Sequence, residues 1–175
     1  MKKAIIPAAA HESQILIYYG KEIIDSEGMQ KERKFIQHGR VTVFEHSVGV
    51  AYMSLLIARK LRLKMDERAL IRGALLHDYF LYDWHEKEDY HKWHGFCHPR
   101  IALENANRDF ELGEIEEDII FKHMFPLTLR SMPKYRESVL VCLADKICAC
   151  LETFSYSYMD YKMKKTVEQS RQTGV

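Results

Sequence analysis

Nine histidines stand in this chain, and five of them (His77, His85, His91, His94 and His98) crowd between positions 77 and 98. Imidazole is the commonest metal ligand and the side chain that titrates nearest neutral pH. The acids narrow the chemistry further. Asp78 follows His77 directly, and Asp145 sits among Val141, Cys142, Cys148 and Ala149 on what reads as one helix. An ionised carboxylate in such an apolar setting is costly unless it is paired or bound to a metal. One cation site satisfies Asp78, Asp145 and the imidazoles together. Imidazole with carboxylate suits Zn, Mn, Fe, Co or Ni. The cysteines, Cys97, Cys142, Cys148 and Cys150, contain no CxxC pair and do not form a structural zinc pattern. A metal held by histidine and aspartate with positions left open is a catalytic design.

The elements that must position these groups read as helices. Four prolines and eight glycines in 175 residues leave long uninterrupted segments. A first helix is expected over about Ser13 to Glu27, and a shorter one from Met29 to Gln37, ending at His38-Gly39 with glycine as a left-handed cap. The stretch from Thr42 to Leu61 is apolar almost all round, so it belongs in the middle of the molecule. His46 shares a face there with Val50, Met53 and Ile57. Asp66 caps a helix running to about Asp78. Gly73 and Ala74 lie beneath His77 and would let a neighbouring helix come close, while Arg68 and Arg72 occupy a solvated face.

From Tyr79 to Phe96 the periodicity stops, and a functional lid is expected. His98-Pro99 is expected to open the next helix. Another runs from about Gly113 to Met124 with Ile115, Ile119, Ile120 and His123 on one stripe, closed by Pro126. The last long helix begins near Pro133 and carries Val139, Leu140, Leu143, Ile147 and Leu151.

Composition bounds the partners. Apolar residues make up 47% of the chain, charged residues 29%, and the net charge is +1. That balance offers no dedicated nucleic-acid surface. The apolar stretch from Ala4 to Ala10 is short and broken by Pro7, and no run of 18 apolar residues follows, so neither a signal segment nor a membrane span is expected. The cysteines read as reduced thiols of a cytoplasmic protein, Cys148 and Cys150 as small buried hydrophobes. Tyr156, Tyr158 and Tyr161 offer either an oligomer contact or packing at the domain's own end. The expected organisation is one domain: N-terminal helices over 1–39, a metal-binding core over 40–155, and a tail over 156–175.

His46, the doublet His77-Asp78 and the distal Asp145, on successive helices, resemble the signature of the HD superfamily of metal-dependent phosphohydrolases. The surroundings Glu45-His46-Ser47, Ala74-Leu75-Leu76-His77-Asp78 and Leu143-Ala144-Asp145-Lys146 extend the likeness over about residues 40 to 150. The resemblance implies an all-α bundle of about six to seven helices in which His46, His77, Asp78 and Asp145 bind one divalent metal. In two-metal relatives two further histidines lie between the doublet and the last aspartate. His98 and His123 stand there, with Asp78 then expected to bridge. The metal's identity among Fe, Mn, Zn, Co, Ni and Mg stays open.

The implied reaction is hydrolysis of a nucleotide or other small phosphate ester through a metal-activated hydroxide, with Asp78 and Lys146 as the catalytic residues. Lys122, Arg100 and Arg130 are further phosphate candidates, and Tyr79, Tyr82, Trp84 and Trp93 either wall a base pocket or cover the core. Many relatives carry a lysine three residues after the doublet's aspartate; this chain has Leu81. Two alternatives remain: a di-iron oxygenase on the same fold, and a non-catalytic sensor or binding module.

Overall fold

The computed structural model describes residues 8–85, 94–129 and 131–154. Seven α-helices are found among the described residues: α1 (Ala8–Ile24), α2 (Glu27–Lys31), α3 (Val43–Lys60), α4 (Glu67–Leu76), α5 (His94–Asp109), α6 (Glu114–Lys122) and α7 (Arg136–Phe154). The fold is all-α, as the patterning predicts. No helix is long and apolar enough to cross a membrane among the described residues.

Helix α3 is the axis of the bundle, packed against α4, α7 and α1. It starts at Thr42 because the Thr42 side chain accepts from the Glu45 amide while Glu45 Oε2 accepts from the Thr42 amide at 3.0 Å. This reciprocal box satisfies two donors that a helix start otherwise leaves bare. Phe44, Val48, Val50, Ala51 and Leu55 are buried along it. Helix α4 is capped by Asp66, whose Oδ1 accepts from Ala69 N at 2.9 Å. Gly73 then lets α6 approach: a β-carbon there would meet Ile119 Cδ1 at 2.6 Å. The close approach expected beneath His77 is therefore made by α6.

Several expectations are corrected. The segment before Gly39 is not a helix through Gln37. Helix α2 stops at Lys31, a 3-10 turn covers Glu32–Lys34, and β1 (Ile36–His38) pairs antiparallel with β2 (Val41–Thr42). Gly39 does take a positive φ of 60°, but as the first residue of a two-residue hairpin turn, where glycine lacks the steric penalty of other residues. Second, α5 begins at His94, with Pro99 inside it. One turn into a helix, proline forfeits only the single bond that its missing N–H would make to residue 95.

Third, Arg72 is buried, not solvated. Its guanidinium donates to Glu116 Oε1 at 2.7 Å, Glu22 Oε2 at 2.8 Å and the Glu111 carbonyl at 3.0 Å. Fourth, Val139 and Leu143 face solvent, because α7 turns Leu140, Val141, Ala144 and Cys148 inward instead. Cys150 is exposed while Cys148 is buried. Tyr156, Tyr158, Tyr161, His91, Trp93 and Arg130 lie outside the described residues, as does the side chain of His94.

Candidate metal centre

The six expected ligands come from five helices, His77 and Asp78 being neighbours at the end of α4. His46 is in the first turn of α3, His77 caps the C-terminal end of α4 and His123 that of α6, His98 lies on α5, and Asp145 on α7. All are buried, with His46 and His77 at 0% exposure. The helix ends orient the rings. His77 Nδ1 lies 2.7 Å from the Ala74 carbonyl and His123 Nδ1 lies 2.9 Å from the Ile120 carbonyl. A carbonyl only accepts, so Nδ1 carries a hydrogen in both and Nε2 is the ring nitrogen turned inward.

The six side chains form two adjoining groups that could hold a metal ion, His46–His77–Asp145 and Asp78–His98–His123. In the first, His46 Nε2 is 3.2 Å from Asp145 Oδ1, and His77 Nε2 is 3.9 Å from that same oxygen. In the second, His98 Nε2 and His123 Nε2 are 2.8 Å apart, and they lie 3.2 and 3.4 Å from Asp78 Oδ1. The other oxygen, Asp78 Oδ2, turns to the first group, 3.5 Å from His77 Nε2 and 3.8 Å from His46 Nε2. One carboxylate therefore presents one oxygen to each group.

The donor set fits divalent ions. Ligand atoms about 2.1 Å from a metal lie roughly 3.0 to 3.4 Å from one another, close to the separations found here. His77 Nε2 and Asp78 Oδ1 are buried without a hydrogen bond of acceptable geometry. Leaving such groups unsatisfied costs about 1–3 kcal/mol each, and a shared cation removes that cost.

The electrostatics agree. Burial works against the charge on Asp78, but His77 and His98 outweigh it and hold the acid well below the usual carboxylate range. Burial likewise opposes the Asp145 anion, and the His46 hydrogen bond with the charge of His77 again prevails, so its pKa is lowered. Burial disfavours the His46 cation, yet Asp145 and Glu152 overcome this and raise it well above normal. Burial pushes His123 down to about 3, which keeps its lone pair free.

Four neighbours escaped the sequence reading. Glu152 Oε2 lies 2.8 Å from His46 Nδ1, an arrangement that fixes a ligand ring. Its signal was available, because residues seven apart share a helix face and Asp145 is on the same helix. Gln37 Nε2 donates to Asp78 Oδ2 at 2.6 Å. His38 stands edge-on to His46 with ring centroids 5.4 Å apart. Glu32 is fully buried, neither of its oxygens has a partner, and burial together with nearby Asp78 raises its pKa well above normal. Nothing local distinguishes these last three.

A cavity of about 500 Å³ opens over the centre, lined by Asp78, His98, His123 and Asp145, with Trp84, Met124, Leu127 and Lys146 among its walls. Lys146 Nζ donates to the His123 carbonyl at 3.0 Å and sits 3.5 Å from Asp145 Oδ2, with its side chain 42% exposed. Lys122 is instead paired with Asp118 at 2.5 Å, and Arg100 with Glu104 at 2.8 Å on the surface. Of the candidate aromatics, Tyr79 is buried and donates to Asp109, Tyr82 packs on Phe80, and Trp84 reaches the cavity. Leu81 carries a positive φ of 64° and packs against the core.

The family model of the HD domain matches residues 43–150, more than half of the chain. All six candidate ligands fall within that span; Glu32, Gln37, His38 and Glu152 fall outside it. No curated protein and no solved structure gives a match.

Proposed function

The chain belongs to the HD-domain family, and on that premise we propose that it is a metal-dependent phosphohydrolase acting on a nucleotide or other small phosphate ester. The observation that carries the reading is Asp78 offering Oδ1 to the His98–His123 pair and Oδ2 to the His46–His77–Asp145 group. His46, His77, Asp78 and Asp145 would hold one ion, and Asp78, His98 and His123 a second. Bound there, divalent metal supplies an acidified water near neutral pH and neutralises phosphoryl charge.

The chain's own residues do the rest. Phosphoryl transfer asks a protein mainly for positioning and for positive charge. Lys146 carries that charge at the cavity wall, anchored by the His123 carbonyl and beside Asp145 Oδ2. It takes the part that a lysine plays in relatives at the position of Leu81. Glu152 holds the His46 ring in register through Nδ1. Trp84, Met124 and Leu127 give the non-phosphate portion of the substrate an apolar wall. A cavity of about 500 Å³ admits a small ester, within the usual range for small-molecule sites.

The test is phosphate release from a panel of nucleotides, sugar phosphates and dinucleotides by protein loaded in turn with Mn, Fe, Co, Ni, Zn and Mg. Metal-dependent release from at least one class is expected. No release from any, or oxygen consumption by the iron form in its place, would overturn the reading.

A further inference from the structure

Gln37 lies outside the span matched by the family, yet its side chain is buried against the most central acid of the site. Its Nε2 is 2.6 Å from Asp78 Oδ2 across 41 residues of sequence, and its exposure is 8%. An ionised carboxylate only accepts, so the amide nitrogen must face Asp78 and the amide oxygen must face away. That oxygen is buried without a partner. The contact with Asp78 therefore sets the orientation of the amide.

The backbone beneath Gln37 is fixed from two sides. Val43 N, at the start of the helix bearing His46, donates to the Phe35 carbonyl at 2.9 Å. At the hairpin turn, a β-carbon on Gly39 would lie 3.6 Å from the Glu152 carbonyl, so the turn rests against α7. Gln37 thus reaches Asp78 from a strand anchored to the helices that carry His46 and Asp145.

We infer that Gln37 is a positioning residue for Asp78: its amide holds Oδ2 towards the His46–His77–Asp145 group, so that Oδ1 is presented to His98 and His123. The carboxylate can rotate about its last bond, and rotation would withdraw an oxygen from one group or both. A hydrogen bond to Oδ2 uses one lone pair and leaves the other for an ion, as partners of ligating carboxylates do in metal sites. The inference rests on the two-ion reading of the centre and adds to it a residue from beyond the family's own segment.

The test is a Co(II) titration of the full chain, followed by visible absorption, for wild type, Gln37→Leu and Gln37→Asn. The first variant keeps the bulk and removes the donor; the second keeps an amide one methylene too short to reach. Melting of the metal-free proteins runs alongside. One or both of the two ions should bind about ten- to a hundredfold more weakly in both variants, with an altered ligand-field band and little change in metal-free melting. Should Gln37→Leu fail to fold, Gln37→Asn carries the same comparison. Wild-type affinities and spectrum in the folded variants overturn the inference and leave the phosphohydrolase reading standing. Equal weakening of both ions with a lower metal-free melting temperature also overturns it, as a folding defect. Wild type that takes up no cobalt removes the metal centre and this inference with it.

Discussion

The proton on His46 competes with any cation that its group would hold. Its pKa is raised despite burial, because Asp145 and Glu152 sit on its two ring nitrogens. A raised folded pKa gives stability that is complete below the unfolded value, about 6.5, and is lost as pH climbs through the folded one. Asp78 and Asp145 run the other way. Their lowered pKa values give stability that is present above about 3.9 and lost as pH falls. Glu32, an acid whose burial raises its pKa, favours the unfolded chain once pH exceeds about 4.3, while His123, pushed down to about 3, favours it as pH falls below about 6.5, so the two offset each other across that window. The metal-free protein should therefore be most stable between about pH 4 and 6.5, with melting temperature falling on both sides. Divalent metal should flatten the alkaline fall by taking the place of the His46 proton. Melts across pH in chelator and in Mn(II) check this; parallel curves would speak against it.

At the scale of elements, the site depends on how closely α6 approaches α4. Gly73→Ala would put a β-carbon 3.0 Å from Ile119 Cβ and 2.6 Å from its Cδ1. The Cβ contact cannot be relieved by a rotamer change, so α6 must shift. The expected cost is about 1–3 kcal/mol, together with weaker binding of the ion next to His123, which ends α6. Calorimetry and metal titration of G73A measure the two effects, and a stable variant with unchanged binding would contradict the account. Helix existence was legible, because apolar periodicity and caps such as Thr42 and Asp66 are local. The six candidate ligands were legible through spacing and the HD resemblance. Gln37 was not, since Phe35-Ile36 next to a short helix reads equally as its continuation, and only the hairpin pairing decides. Pro99 misled similarly: its preference for helix starts is real, but His94 to Cys97 supply a further turn ahead of it.

Across the whole molecule, two of the places where charge is buried among the described residues serve different ends. One is the metal centre; the other is the Arg72 cluster, where Glu22, the Glu111 carbonyl and Glu116 surround the guanidinium and tie α4 to α1 and α6. Spacing placed Arg72 on the outer face of α4 because α1, which covers it, is distant in sequence. Arg72 and Glu116 side chains are 4% and 1% exposed. Arg72→Ala should cost about 3–5 kcal/mol, as breaking a buried pair does, without changing metal stoichiometry. Chemical denaturation measures the first and elemental analysis the second; a loss below about 1 kcal/mol would mean that the pair is solvent-screened.

The centre itself stands or falls on Asp78, the side chain that presents one oxygen to each group. Elemental analysis of metal-loaded, desalted wild type beside Asp78→Ala tests it most directly. Two divalent ions per wild-type chain and a loss of both in the folded variant are expected, whereas a variant that keeps the wild-type content would contradict a bridged pair of ions at this site.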